Sequence, residues 1–108
     1  MPAYLVILAQ LSDRERFAAY AETVPGIVQA HGGRYLLTAG GGRELEGLWG
    51  GGDMSVVISE WPSAGHARRF WQSPEYARAR KLREGTGRFQ VVLIESPQSI
   101  SHIEGETP

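Results

Sequence analysis

Short dense apolar runs alternate along this chain with stripes of apolar residues at helical spacing. Tyr4 to Ala9 is an unbroken apolar run rich in β-formers and reads as a buried strand. Ser12-Asp13-Arg14-Glu15 follows as a capping box, with the Ser12 hydroxyl accepting from the Glu15 amide and the Glu15 side chain reaching back. Phe17, Tyr20, Ala21, Val24, Ile27 and Val28 then recur on one helical face. Pro25 lies inside that stripe, and the crowding of its ring against the Ala21 carbonyl predicts a kink or a break. Gly32-Gly33 predicts a left-handed helix end.

Arg34 to Ala39 reads as the second strand. Residues 40–53 hold seven glycines, too many for a regular element, with a short extended piece near Arg43 to Glu46. Met54 to Trp61 is a further strand. Ser63 caps a short helix carrying Ala67, Phe70 and Trp71. Ser73-Pro74-Glu75 opens another helix: Ser73 as N-cap, Pro74 in the first turn, and Glu75 against the positive end of the dipole. Gly85 stops that helix, and Phe89 to Glu95 is the last strand. The order predicts an α+β domain over residues 1–96, a ferredoxin-like split β-α-β antiparallel sheet with its helices on one face. Residues 97–108 form a polar tail.

In such a sheet one face meets the helices and the other meets water, so each strand should alternate apolar and polar residues. These strands do not. Tyr4, Val6 and Leu8 oppose Leu5, Ile7 and Ala9; Val56 and Ile58 oppose Val57; Val91 and Leu93 oppose Val92 and Ile94. An uncovered apolar face of that extent exceeds what monomers commonly expose. It predicts a homodimer joined through its sheet faces.

Composition narrows the range of functions. The 108 residues suffice for one domain, with 42% hydrophobic and 21% charged residues. A formal net charge of -1 provides no basic excess to displace counterions from nucleic acid. No apolar run approaches the ~20 residues that cross a bilayer, and no signal peptide is apparent. The absence of cysteine removes disulfides, thiolate metal sites and a cysteine nucleophile, and fits a cytoplasmic protein. His31, His66 and His102 show no metal-ligand spacing, so neither a metal nor a cofactor is expected.

Several segments taken together resemble the domain-of-unknown-function 1330 family. These are Pro25-Gly26-Ile27 leading to His31-Gly32-Gly33-Arg34-Tyr35-Leu36, then Leu45-Glu46-Gly47-Leu48-Trp49, then Glu60-Trp61-Pro62-Ser63, and Phe70-Trp71-Gln72-Ser73-Pro74-Glu75-Tyr76. The resemblance runs from about Pro2 to Glu95. It implies a dimeric α+β barrel, in which two ferredoxin-like sheets close face to face. Similar barrels include cofactor-independent monooxygenases, haem-degrading enzymes and lactone isomerases. Trp61 and Trp71 stand where the family more often has phenylalanine and tyrosine. Thr38-Ala39 stand where an arginine is frequent.

Candidate chemistry is dispersed. The glycine-rich stretch lacks the Gly-Lys-Ser/Thr ending of a phosphate loop and reads as a hairpin or lid. Trp49 on it would close over a ligand or pack on a partner. Glu46 beside Trp49 is a carboxylate that an apolar setting would turn into a base; a solvated or ion-paired Glu46 is the plain alternative. His31 is a general acid–base candidate by residue type, yet its place at a helix end more often suits a cap. Arg43 on the hairpin, Trp61, and Tyr20, Tyr76, Arg80 and Arg83 on the helices complete the expected ligand contacts, although arginines late in a helix also serve the dipole. Two functions follow as expectations. One is a dimeric small-molecule-binding protein of the cofactor-independent oxygenase or isomerase kind, with Glu46 and His31 as catalytic candidates and a small aromatic or carbonyl-bearing substrate. The other is a non-catalytic dimeric module, which a solidly filled sheet–helix interior would favour.

Overall fold

The computed structural model describes residues 1–97. The expected tail and His102 lie almost wholly outside them. The element order is β1 (Ala3–Leu11), α1 (Arg14–Ala30), β2 (Arg34–Arg43), β3 (Asp53–Trp61), α2 (Ala64–Trp71), α3 (Pro74–Lys81) and β4 (Gly87–Glu95). The four strands form one antiparallel sheet in the order β2-β3-β1-β4. Each crossover helix therefore joins strands that are not neighbours, as in the ferredoxin-like arrangement.

Strand parity separates the two faces. Leu5, Ile7 and Ala9 of β1, Ser55, Val57 and Ser59 of β3, and Phe89 and Val91 of β4 face the helices. Against them pack Tyr20, Val24 and Val28 of α1, Ala67 and Phe70 of α2, and Tyr76 and Ala79 of α3, all buried. The aromatic rings form one continuous chain: Trp61 to Phe70 (4.9 Å between centroids), Phe70 to Tyr76 (4.5 Å), Tyr76 to Tyr20 (6.3 Å), Tyr20 to Phe17 (5.2 Å) and Phe17 to Phe89 (5.9 Å).

The opposite face carries an apolar row across its middle, Leu37–Ile58–Val6–Val92, in register from edge to edge. Leu37, Val92 and Ile94 remain 42%, 46% and 54% exposed. The face is not apolar throughout, as the strand pattern alone suggests. On one side of the row, Glu60 accepts from Tyr4 Oη (2.9 Å) and from Arg34 Nε and Nη2 (3.0 and 2.6 Å). On the other side Gln10 and Gln90 extend the polar margin.

The structure corrects several local expectations. The N-cap of α1 is Asp13, whose carboxylate accepts from Arg16 N (3.0 Å), and not Ser12. β1 runs on to Leu11, and both the Ser12 and Asp13 amides donate to Thr86 O (2.8 and 3.1 Å), so the helix begins one residue later than a Ser12 cap would set it. A carboxylate there also suits the helix dipole. Pro25 does not break α1, because the buried stripe on both sides of it stays packed. The glycines at 40–42 belong to β2, which absorbs them through register shifts between Tyr35 and Leu37 and between Ala39 and Gly42. No separate extended piece exists at 43–46: Arg43 closes β2 opposite Asp53, and the chain leaves the strand at Glu44.

Gly32 and Gly33 end α1 as expected. Gly32 has φ 89°, its amide donates to Gln29 O (3.1 Å), and the Gly33 amide donates to Val28 O (2.9 Å). A Cβ at Gly33 would stand 2.7 Å from the Trp61 ring, which is 1% exposed and wedged against Phe70. Gly33→Ala is expected to destabilise the fold by about 1–3 kcal/mol, measured by chemical denaturation, with a matching change in tryptophan fluorescence.

Candidate functional site

Several residues that line the space between α1 and the sheet are small. Ser55 and Ser59 on β3, Thr38 and Gly40 on β2, and Ala9 on β1 leave volume among the aliphatic side chains. Val24 and Val28 keep α1 on the core, and aromatic contacts tie it to α3 and β4. The result is a cavity of about 490 Å³ between the sheet and the helices. That lies within the ~300–1,000 Å³ of small-molecule sites. Its mouth opens between Ala21 and Pro25 of α1 and Thr38 to Gly40 of the edge strand, all exposed.

The walls are aliphatic and aromatic, with Phe70, Trp71 and Phe89 among them. The polar groups gather on one side. Tyr20 Oη and Tyr76 Oη lie 2.9 Å apart in a buried hydrogen bond. The Arg83 guanidinium stacks over Phe89 (4.3 Å to the centroid) and near Tyr20 (5.6 Å). Its Nε is buried without a hydrogen-bond partner among the described residues. An unmet buried donor costs about 1–3 kcal/mol. Among the described residues, no carboxylate and no histidine lines the cavity.

Burial drives the Tyr20 phenol far above its ordinary value of 10.0, and the neighbouring Tyr76 phenol adds to this, outweighing the opposing charge of Arg83. Burial, and then Tyr76, raise Tyr35 in the same direction. Both phenols therefore keep their protons at neutral pH and act as hydrogen-bond donors rather than as bases.

Of the residues expected from the sequence, the cavity brings together Tyr20, Tyr76 and Arg83. The others lie elsewhere. Trp61 is packed in the core, its indole N–H donating to Ser59 Oγ (2.9 Å). Arg80 is exposed and lies over Trp71, 5.2 Å from its centroid. His31 sits at the end of α1, with Nδ1 2.9 Å from Ile27 O and its ring edge-on to Phe70. Arg43 and Glu46 are exposed on the β2–β3 hairpin. Trp49 is half-buried in the same hairpin, where Glu44 accepts from the amides of Trp49 (3.1 Å) and Gly51 (3.0 Å).

Sequence reasoning missed Tyr35, Thr38, Ser55, Ser59, Trp71 and Phe89 as cavity residues. A signal was present in β3. Ser55 and Ser59 face the covered side while Val56 and Ile58 face the open one, which is the wrong polarity for a filled core.

The family model for a domain of unknown function, DUF1330, matches residues 2–97, nearly the entire chain. This chain belongs to the DUF1330 family. No curated protein matches its sequence. Among solved structures, a protein of unknown function from Rhodopseudomonas palustris is similar with a TM-score of 0.73 and 20% identity, over 91% of this chain and 84% of that one. SnoaB from Streptomyces nogalater, described as a cofactor-independent oxygenase, is similar with a TM-score of 0.64 and 15% identity, over 92% and 96% of the two chains. A Bacteroides fragilis protein of unknown function, described as dimeric and of ferredoxin-like fold, has a TM-score of 0.53 and 16% identity, over 88% and 96%. At these identities the likeness concerns the fold.

The raised phenols give this DUF1330 chain a defined response to alkali. Above pH ~10 the unfolded chain releases the Tyr20 proton while the folded chain retains it. The folded state then binds more protons, and stability must fall as pH rises. Denaturation midpoints are expected to drop above pH ~10, and more shallowly in Tyr20→Phe. Phenolate absorbance should show tyrosine that ionises only on unfolding.

Proposed function

We propose that this chain is a cytoplasmic, homodimeric small-molecule-binding protein of the cofactor-independent oxygenase or isomerase kind. Its ligand is a small planar aromatic or carbonyl-bearing compound, held in the cavity between sheet and helices. The observation that carries this reading is the cavity itself. A module with a purely structural task has no reason to keep an unfilled cavity between its helices and its sheet, because empty apolar volume forfeits packing energy. The aromatic walls suit a planar body, and the polar side suits a carbonyl oxygen.

Reactions of this kind run without a bound cofactor by stabilising an enolate or phenolate of the substrate itself. That requires donors aimed at a developing oxyanion. Tyr20, Tyr76 and Arg83 are such donors. Glu46 and His31 have no part in this reading, because neither borders the cavity.

The homodimer completes the reading. The exposed row of Leu37, Val92 and their neighbours needs a cover. The β2–β3 hairpin adds to that surface: Gln10, on the open face, donates to the Gly51 carbonyl and ties the hairpin to that side. Leu45 and Leu48 on it are 96% and 97% exposed. A second sheet placed face to face would bury both. The dimeric state described for the similar Bacteroides fragilis protein supports this arrangement.

Two measurements test the proposal. Ala21→Trp places a bulky ring at the cavity mouth from an exposed helix position, so folding should be retained. Native mass spectrometry and calorimetry with a panel of aromatic and dicarbonyl compounds should show ligand bound to the wild type, with affinity reduced by about tenfold or more in Ala21→Trp. A wild type that stays empty across the panel refutes the binding reading. Sedimentation should show a dimer at micromolar concentration, and Val92→Arg, in the apolar row, should shift it to monomer. A monomeric wild type would remove the dimer.

A further inference from the structure

Among the described residues, the cavity is bordered by a positive charge and by no negative one. Arg83 borders the cavity, and none of the ion pairs among the described residues includes it. Its guanidinium lies over the faces of Phe89 and Tyr20, and its Nε is a buried donor with no acceptor among the described residues. Ring faces stabilise a cation without accepting its in-plane N–H bonds. The neighbouring phenols add a second open donor. Tyr20 and Tyr76 share one hydrogen bond between them, so one of their two O–H protons is spent on the other residue's hydroxyl oxygen and the second remains available. No carboxylate or imidazole of the described residues lines the cavity to neutralise the charge or to take a proton.

We infer that the ligand enters already ionised, as a planar monoanion whose oxygen is bound jointly by the Arg83 guanidinium and by the free phenolic proton of the Tyr20–Tyr76 pair. This rests on the small-molecule reading above and narrows it to one chemical class: a carboxylate or enolate oxygen conjugated to a flat, mostly apolar body. The body lies along Trp71 and Phe70, and the oxyanion reaches the polar side. Charge-assisted bonds of this kind are stronger than neutral ones, and a guanidinium offers parallel donors to a carboxylate. The retained proton of Tyr20 fits its role as a donor. A neutral isostere fills the same apolar volume but leaves the cation unanswered, so the site discriminates by charge rather than by shape.

Calorimetry with 2-naphthoate and its neutral isostere 2-naphthamide tests this on the full chain, with enolised 1,3-dicarbonyls as a second oxyanion source. The wild type should bind the acid at least about tenfold more tightly than the amide. Arg83→Met should abolish that preference and leave both probes near the affinity of the amide. Arg83→Lys, which keeps the charge, should retain part of it. Tyr20→Phe combined with Tyr76→Phe, which removes both hydroxyls and leaves the rings, should weaken the acid severalfold and the amide less. Equal binding of acid and amide by the wild type would overturn the inference and leave the cavity reading standing. Failure of acid, amide and dicarbonyls alike to bind would overturn the reading beneath it as well. Because the wild-type comparison needs no variant, a variant that fails to fold cannot rescue the inference.

Discussion

The edge-to-face contact that locks Tyr20 to Tyr76 is what the rest of the molecule is built around. Through it, α1 is held against α3, while Val24 and Val28 keep it on the core. The aromatic chain continues to Phe70 and Trp61 on one side and to Phe17 and Phe89 on the other, so Phe17 and Tyr20 tie the first half of α1 to both α3 and β4. Each ring pair contributes about 0.5–1.5 kcal/mol beyond its burial. The small residues of β2 and β3 line the space beside a helix braced in this way.

The same chain of rings decides the chemistry of the cavity. Burial beside Tyr76 pushes the Tyr20 phenol well above its ordinary range, and so a residue that supports α1 also keeps its proton as a donor. Arg83 follows from the same geometry. It lies just past the end of α3, before Gly85 turns the chain into β4, and the ring faces of Phe89 and Tyr20 take its guanidinium. Architecture and site are therefore one structure, and a substitution that weakens the brace must also disturb the donors.

Much of the fold could be read from the chain, because its signals are local. The apolar runs, the Ser63 and Ser73 caps, and the Gly32-Gly33 ending all act within a few residues and all appear where expected. The local pattern misleads where a distant partner decides the structure. Thr86 accepts from the Ser12 and Asp13 amides, which extends the strand ladder and moves the start of α1 to Asp13. β3 pairs with the glycines of β2 and draws them into a strand. The site was legible in part. Tyr20, Tyr76 and Arg83 were recognisable by residue type, but Arg80 looked identical to Arg83 in the sequence. Arg80 lies on α3 and outside the cavity over Trp71, whereas Arg83 lies just past the helix end and borders the cavity. Glu46 and Trp49 were attractive because the chain places them together, whereas the hairpin that carries them is tied to the open face through Gln10.

That last separation sets the two faces of the sheet apart. The helix side places Ser55, Ser59 and Ala9 among its aliphatic residues, and a cavity is left there. The open side puts Leu37, Ile58, Val6 and Val92 where water would favour polar residues. In β3 the division falls between successive residues, Ser55 and Ser59 turned one way and Val56 and Ile58 the other. Val57 between the serines still faces the helices, so the inward side of β3 alternates Ser, Val and Ser. The cavity and the apolar row thus depend on one nine-residue strand, and a one-residue slip of β3 would turn Val56 and Ile58 towards the first and Ser55 and Ser59 onto the second.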